Sequence, residues 1–302
     1  MNLLTNMKSV KEAIEQIVSE QICTTPYYKK CSILFCDIMN EVEYCNFTEN
    51  HQQFYCDESF NANCAKRNKI TIKIMVVKDS CYFNNYENIK NEKVDLCDGE
   101  MIILPNMRVF VQNNNCVFIV AREFFVVREL YSILPYVYYK MRFFDAQPII
   151  LHACAVNIID NNAYVFLGKS GAGKTTTAKL AHQSGLKILS DELVCITEKN
   201  GFSVNGTSIS SSNCNVKLCN TKSNLSAFCI IEKNEIFQLY QHTDQNYNNI
   251  LSNAVENSIF TNDILLTLFK LCHTIRFVHM RFYKDYIDWS AIKRDMRIFN
   301  EH

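Results

Sequence analysis

Glycine is scarce in this chain: seven occur in 302 residues, beside four prolines and a single tryptophan. That composition excludes a collagen-like or Gly/Pro-rich linker architecture. An excess of one charge is missing too. Lys plus Arg and Asp plus Glu number 31 each, so the formal net charge is zero and no global field draws the chain to nucleic acid or an anionic membrane. Nor is there a local run of basic residues. No stretch approaches the roughly 18 apolar residues of a membrane span. The opening MNLLTNMKSVKEAIEQIVSEQI lacks the basic start and continuous apolar core of a signal peptide. Its Val10, Ala13, Ile14, Ile17 and Val18 recur instead at the spacing of an amphipathic helix. A cytoplasmic protein is expected, with no nucleic-acid and no membrane partner.

A disulfide or zinc framework is also absent from the pattern. The fifteen cysteines are odd in number, spread along the chain and without a CxxC pair. The close spacings Cys31/Cys36 and Cys214/Cys219 have no second half at zinc-site distance. They read as reduced thiols acting as small core hydrophobes. What is abundant is apolar: 48% of residues are hydrophobic and 21% charged, a globular profile. The length suits one large domain or two ordinary ones.

The first half carries no catalytic motif. CSILFCDIM (31–39), KITIKIMVV (69–77) and EMIILP (100–105) read as strands, and RVFVQ-NNN-CVFIVA (108–121) as a hairpin turning through asparagines. Residues 123–144 read as a long aromatic helix that Pro135 should kink or divide. The stretch 45–68 is polar and aperiodic, a loop or insertion. From Pro148 the pattern becomes α/β. An apolar run to Ile159 is followed by a turn at Asp160–Asn162 and the buried strand AYVFL (163–167). A glycine-rich loop comes next, then a helix (174–184) ended by Gly185 and the strand LKILS (186–190). LVCIT, a turn at Lys199-Asn200-Gly201 and FCIIE (228–232) continue the strands. A helix over 264–273, a strand over 276–283 and a closing helix over 287–300 complete the reading. Two domains are expected, 1–147 (α+β) and 148–302 (catalytic).

Three of the seven glycines fall in GKSGAGKTT (168–176), which matches GxxxxGK[ST] through Gly168, Gly173, Lys174 and Thr175. Glycines let backbone N–H groups turn inward around phosphate oxygens with no Cβ in the way. The expected nucleotide-binding set is therefore Gly168, Lys169, Ser170, Gly171, Ala172, Gly173, Lys174, Thr175 and Thr176, for ATP. Lys174 brings a point charge to the β and γ phosphates, Thr175 a hydroxyl ligand for Mg²⁺, and the helix its positive end. Asp191 and Glu192 close the strand after the loop's helix, on the sheet edge where ligands of open α/β sheets bind. A carboxylate there holds metal or takes the proton of an attacking hydroxyl. His152 ends an apolar run, where a histidine by itself is more often structural.

Together LHACAV (151–156), GKSGAGKTT (168–176) and SDELV (190–194) resemble, in order and spacing, the C-terminal catalytic domain of the HPr kinase/phosphorylase family. Within it they are similar to the HPr-kinase-related proteins found beside peptide-modification genes, including the kinases of lasso-peptide pathways. The likeness is good over 148–200 and reduces to an alternation of elements beyond. It implies a P-loop kinase domain of the HPr kinase/PEP carboxykinase type with a smaller α+β N-terminal domain, moving the ATP γ-phosphate to a serine hydroxyl. Carried over, Asp191 is the base, Glu192 its acidic companion near the metal, and His152 an active-site residue. Glu192 stands where the family has a second Asp. The family's downstream glycine-rich segment is replaced by SVNGTSISSSNCNVKLC (203–219). The expected acceptor therefore shifts from HPr to a ribosomally made peptide or protein, with a small hydroxylated metabolite as alternative.

A rival reading is an ATPase or nucleotide switch without acceptor, in which Glu232, ending FCII, positions water. Arg276, Arg281 and Lys284 are open as further phosphate-reaching cations. The N-terminal half is left, by elimination, to recognition or assembly, and a homo-oligomer is open.

Overall fold

The structure, a computed structural model, describes residues 9–13, 28–35, 38–45, 69–77, 91–112, 116–122, 127–207, 216–219, 221–241, 247–283 and 285–300. The expected loop over 46–68 lies outside them, as does most of the N-terminal helix. Of that helix, Ser9–Ala13 is described. Val10 and Ala13 are buried, Ser9 Oγ accepts from Glu12 N–H, and the Asp98 carboxylate accepts from the N–H groups of Val10 and Lys11. The chain divides into two compact units after Val137.

The first unit is built on a seven-stranded sheet. Its strands are β1 (Tyr28–Phe35), β2 (Ile38–Cys45), β3 (Lys69–Val77), β4 (Glu92–Leu96), β5 (Gly99–Leu104), β6 (Met107–Gln112) and β7 (Cys116–Arg122), in the order β1-β2-β3-β7-β6-β5-β4. The expected hairpin is present, with Val109 opposite Ile119. The run 31–39 is not one strand: it parts into β1 and β2, which pair antiparallel with Phe35 opposite Ile38. The one sequence mark of the division is Asp37, a turn-type residue between the two strands. Helix α1 (Val127–Lys140) runs unbroken through Pro135. The proline removes one backbone donor, but Leu130, Tyr131, Ile133, Leu134, Tyr136 and Val137 are each at most 1% exposed, and burying that face outweighs one bond.

The second unit is a mixed α/β domain. Its strands are β8 (Ile149–His152), β9 (Cys154–Ile159), β10 (Asn162–Leu167), β11 (Lys187–Ser190), β12 (Leu193–Glu198), β13 (Phe202–Asn205), β14 (Lys222–Lys233), β15 (Gln238–Gln241) and β16 (Arg276–Phe282). The sheet order is β11-β9-β10-β14-β13-β12-β8, with β16 also on β14 and β15 on β16. β9 and β10 form a hairpin through Asp160 and Asn161, both at positive φ (43° and 64°), the geometry that matches strand twist. β10 then lies parallel to β14, and β14 parallel to β16.

Among the described residues, four helices cover the faces: α2 (Lys174–Gln183), α3 (Tyr247–Ala254), α4 (Asn262–Thr274) and α5 (Trp289–Asn300). The period-2 alternation of β10 sorts the core in two. Tyr164 and Phe166 pack with Ala178 and Ala181 of α2 and with Trp289 and Ile292 of α5. Val165 and Leu167 pack with Leu251 of α3 and with Ile264 and Leu268 of α4. α2 ends as expected at Gly185 (φ 74°), where Leu186 N–H donates to Ala181 and Gly185 N–H to His182. The Tyr164 hydroxyl donates to Asp295 and accepts from Arg276. Burial first, then Asp295, pushes its pKa well above the ordinary tyrosine value. Among the described residues no helix is long and apolar enough to cross a membrane.

Cys154 and Cys229 are fully buried thiols, and burial pushes Cys229 far above the usual thiol range. Cys195 corrects the expectation of reduced thiols throughout: it is disulfide-bonded. Contacts between distant cysteines cannot be read from spacing. Brief iodoacetamide treatment of the native protein should alkylate exposed Cys97 and spare Cys154 and Cys229, which become reactive on denaturation. Peptide mapping checks this, and native labelling of Cys229 would contradict it.

Candidate active site

β10 delivers its last residue, Leu167, at the edge of the sheet, and seven residues later Lys174 opens α2. Gly171 (φ 79°) and Gly173 (φ 113°) hold conformations that side chains disfavour. Space is closed as well. A Cβ at Gly173 would come 2.7 Å from the Phe282 ring, and one at Gly168 would come 2.7 Å from Ala172 Cβ and 3.0 Å from the Ile231 side chain. This tight cradle fits a phosphate group, because it leaves backbone rather than side chain to face it. Lys174 is only 8% exposed. Its ammonium donates to the carbonyls of Gly168 (2.8 Å) and Lys169 (3.4 Å), so the charge is carried inside the loop. Thr177 N–H and hydroxyl both return to Gly173 O and brace the first turn of α2. Lys169, Ser170 and Gly171 are exposed, while Ala172, Thr175 and Thr176 are half-buried.

A cleft of about 880 Å³ opens beside the loop, within the ~300–1,000 Å³ common to small-molecule sites. Gly168–Ala172 form one side, with His152 also in the lining. Another side is the end of β14. Leu167 pairs with Ile230, so β14 continues past the start of the loop and brings Glu232 and Lys233 to the cleft. The Glu232 side chain is 63% exposed and accepts from Arg281 Nε at 3.0 Å.

The register places Asp191 on the same sheet edge. Ser190 lies opposite Ala155 of β9, and Ala155 opposite Val165 of β10. Asp191 therefore leaves β11 level with the last residues of β10. The turn is tied across itself: Ser190 Oγ donates to Leu193 O, and Thr207 Oγ1 lies within bonding distance of both. Asp191 is 1% exposed. Glu192 reaches His152, Oε1 to Nε2 at 3.5 Å, and His152 Nδ1 lies 3.8 Å from Glu256 on its other side. Glu256 is held there because Val255 bridges Leu151 and Glu256 N–H donates to Ile150 O. His152 lines the cleft, whereas Asp191 and Glu192 are outside its lining.

No family model matches the chain, and no curated protein matches it. Among solved structures, the HPr(Ser) kinase/phosphatase from Coxiella burnetii is similar at 11% identity, over 51% of this chain and 99% of that one, with a TM-score of 0.28. The two superpose only loosely.

Of the three late cations, Arg276 is engaged with Tyr164 and Asp295 near the start of β16, Arg281 pairs with Glu232, and Lys284 lies outside the described residues. The cation that the sequence reading missed is Lys233. It lines the cleft, and its Cε lies 3.7 Å from the Cβ position of Gly173. Its position one residue after the Glu232 already noted was the available signal. Glu256 had none, since only the fold brings it to His152. On the expectation that the loop holds ATP, Lys233→Ala should weaken its binding about fivefold at low salt, by Coulomb attraction at an exposed position. The deficit should shrink as salt is raised. Calorimetric titration checks both.

Among the described residues no three His, Cys, Asp or Glu side chains are grouped to hold a metal. Mg²⁺, the expected ion, takes one or two protein oxygens and draws the rest from phosphates and water. Thr175, at the first turn of α2, and Glu192 are the candidate donors.

Proposed function

We propose that this protein is an ATP-dependent kinase that transfers the γ-phosphate to a hydroxyl, with a serine of a ribosomally made peptide or protein as acceptor. One observation carries the reading: the Gly168–Gly173 cradle, with buried Lys174, opens on a large cleft on the sheet edge that also bears Asp191. In the step proposed, the acceptor oxygen forms a bond to the γ-phosphorus and the bond to the β,γ-bridging oxygen breaks. ADP leaves, and the hydroxyl proton passes to Asp191. Lys174 holds the phosphates, while Glu192 and Glu256 orient His152 beside the cleft. Mg²⁺, when bound through Thr175 and Glu192, offsets phosphate charge. Catalysis is then positioning and electrostatics. The peptide acceptor is supported by the resemblance of the 148–200 motifs and the missing downstream glycine segment. The cytoplasmic setting and a recognition role for the N-terminal half belong to the same proposal. Incubation with γ-labelled ATP and serine-containing peptides, with the phosphate located by mass spectrometry, tests the acceptor class. Label found solely as free phosphate removes it.

One observation favours a second reading. β14 lies parallel and directly beside β10, and its Glu232 lines the cleft, as the water-positioning carboxylate of an ATPase would. Against it stands the Arg281 pairing, which neutralises Glu232 in the open. Under that reading Glu232→Gln stops ATP hydrolysis and Asp191→Asn does not.

A further inference from the structure

We propose that the cleft beyond the glycine loop seats the nucleoside of the bound triphosphate between the β14–β16 strands and helix α3. The inference rests on the nucleotide reading of the loop and adds the subsite that holds the base and ribose. Its floor is a cross-strand row. Leu167 of β10 pairs with Ile230 of β14, and Ile230 with His279 of β16. Cross-strand partners present their side chains on one face of a sheet. His279 pairs in turn with Tyr240 of β15, and the two rings stack at 5.4 Å and 26°, which orients the imidazole. The roof is one face of α3: Ile250, Asn253 and Ala254 stand at i, i+3 and i+4, and all three line the cleft with His279.

The chemistry of this half differs from that of the loop. Leu167, Ile230, Ile250 and Ala254 offer apolar surface from which phosphates gain nothing and a flat heterocycle gains burial. The Asn253 carboxamide offers both donor and acceptor, and His279 adds a ring nitrogen, the few polar groups that fix a base in an apolar slot. Sheet order separates this occupant from the phosphoacceptor. β10 stands between β9 and β14. Asp191 follows β11 on the β9 side of the loop, whereas the slot lies on the β14–β16 side. The donor's nucleoside and the acceptor hydroxyl then approach the loop from opposite sides, as in-line transfer requires.

Binding of ATP and of inorganic tripolyphosphate to the full chain, by calorimetry, provides the test. Wild-type protein should bind ATP at least about tenfold more tightly than tripolyphosphate. Ala254→Phe, which fills the slot, should remove that advantage and leave tripolyphosphate affinity within about twofold of wild type. Asn253→Phe, at an exposed position that tolerates a larger side chain, should do the same, so the inference does not hang on one variant folding. Equal ATP affinity in both variants and wild type overturns it, as does an equal loss of both ligands in both variants. A raised KM for the peptide acceptor with ATP affinity intact overturns it in favour of the acceptor. Lys174→Ala separates the two levels: it weakens both ligands if the loop holds phosphate, and wild-type protein that binds neither ligand ends the nucleotide reading and this subsite together.

Discussion

Replacing Lys174 with alanine should weaken ATP binding roughly 30- to 1,000-fold and take phosphotransfer below detection, with the fold retained. The range is that for truncating one partner of a desolvated, hydrogen-bonded charge pair. It applies because Lys174 is 8% exposed and its ammonium sits on the carbonyls of Gly168 and Lys169, inside the cradle rather than at its rim. Lys174→Arg should fail nearly as badly. A guanidinium is planar and wider than an ammonium, and the space between two loop carbonyls does not take it. Thermal denaturation separates binding from folding. Saturating ATP should raise the midpoint of the wild type by mass action and leave that of Lys174→Ala unmoved. A variant that still gains stability from ATP would place the phosphates elsewhere.

Asp191→Asn should lower phosphotransfer by ~10²–10⁴-fold, the usual contribution of a positioned general base, while ATP affinity stays within about threefold of wild type. The substitution keeps shape, and a neutral amide is no costlier to bury than a carboxylate, so the turn tied by Ser190 and Thr207 should persist. Because the loss is confined to the chemical step, it should appear in kcat with little change in the KM for ATP. Asp191 is 1% exposed and lies outside the cleft wall, so under the proposed function the acceptor brings its hydroxyl to the β9 side of the loop. His152, between Glu192 and Glu256, stands at the cleft.

Much of the second unit was legible because its turns carry local chemistry. Asp160-Asn161 and Asn200-Gly201 take positive φ, Gly185 closes α2, and the glycine loop falls between a buried strand and a helix. These are decisions a few residues make alone. What escaped was decided at long range. β14 is recognisable as a strand, but that it lies beside β10 and carries Lys233 to the loop depends on pairing about sixty residues apart. Glu256 reaches His152 only because 255–257 pairs with β8, with Asn257 bonded to Ile150 N–H and Pro148 O. The parting of β1 from β2, the passage of α1 through Pro135 and the bonding of Cys195 have the same character. In each case tertiary packing overrode or completed a local signal.

The fate of the γ-phosphate in wild type, Asp191→Asn and Glu232→Gln bears most directly on whether this is a kinase. With γ-labelled ATP and an acceptor peptide, the account predicts phosphoserine from wild type and from Glu232→Gln, and none from Asp191→Asn although it still binds ATP. Free phosphate as the sole product, lost in Glu232→Gln and kept in Asp191→Asn, would contradict it.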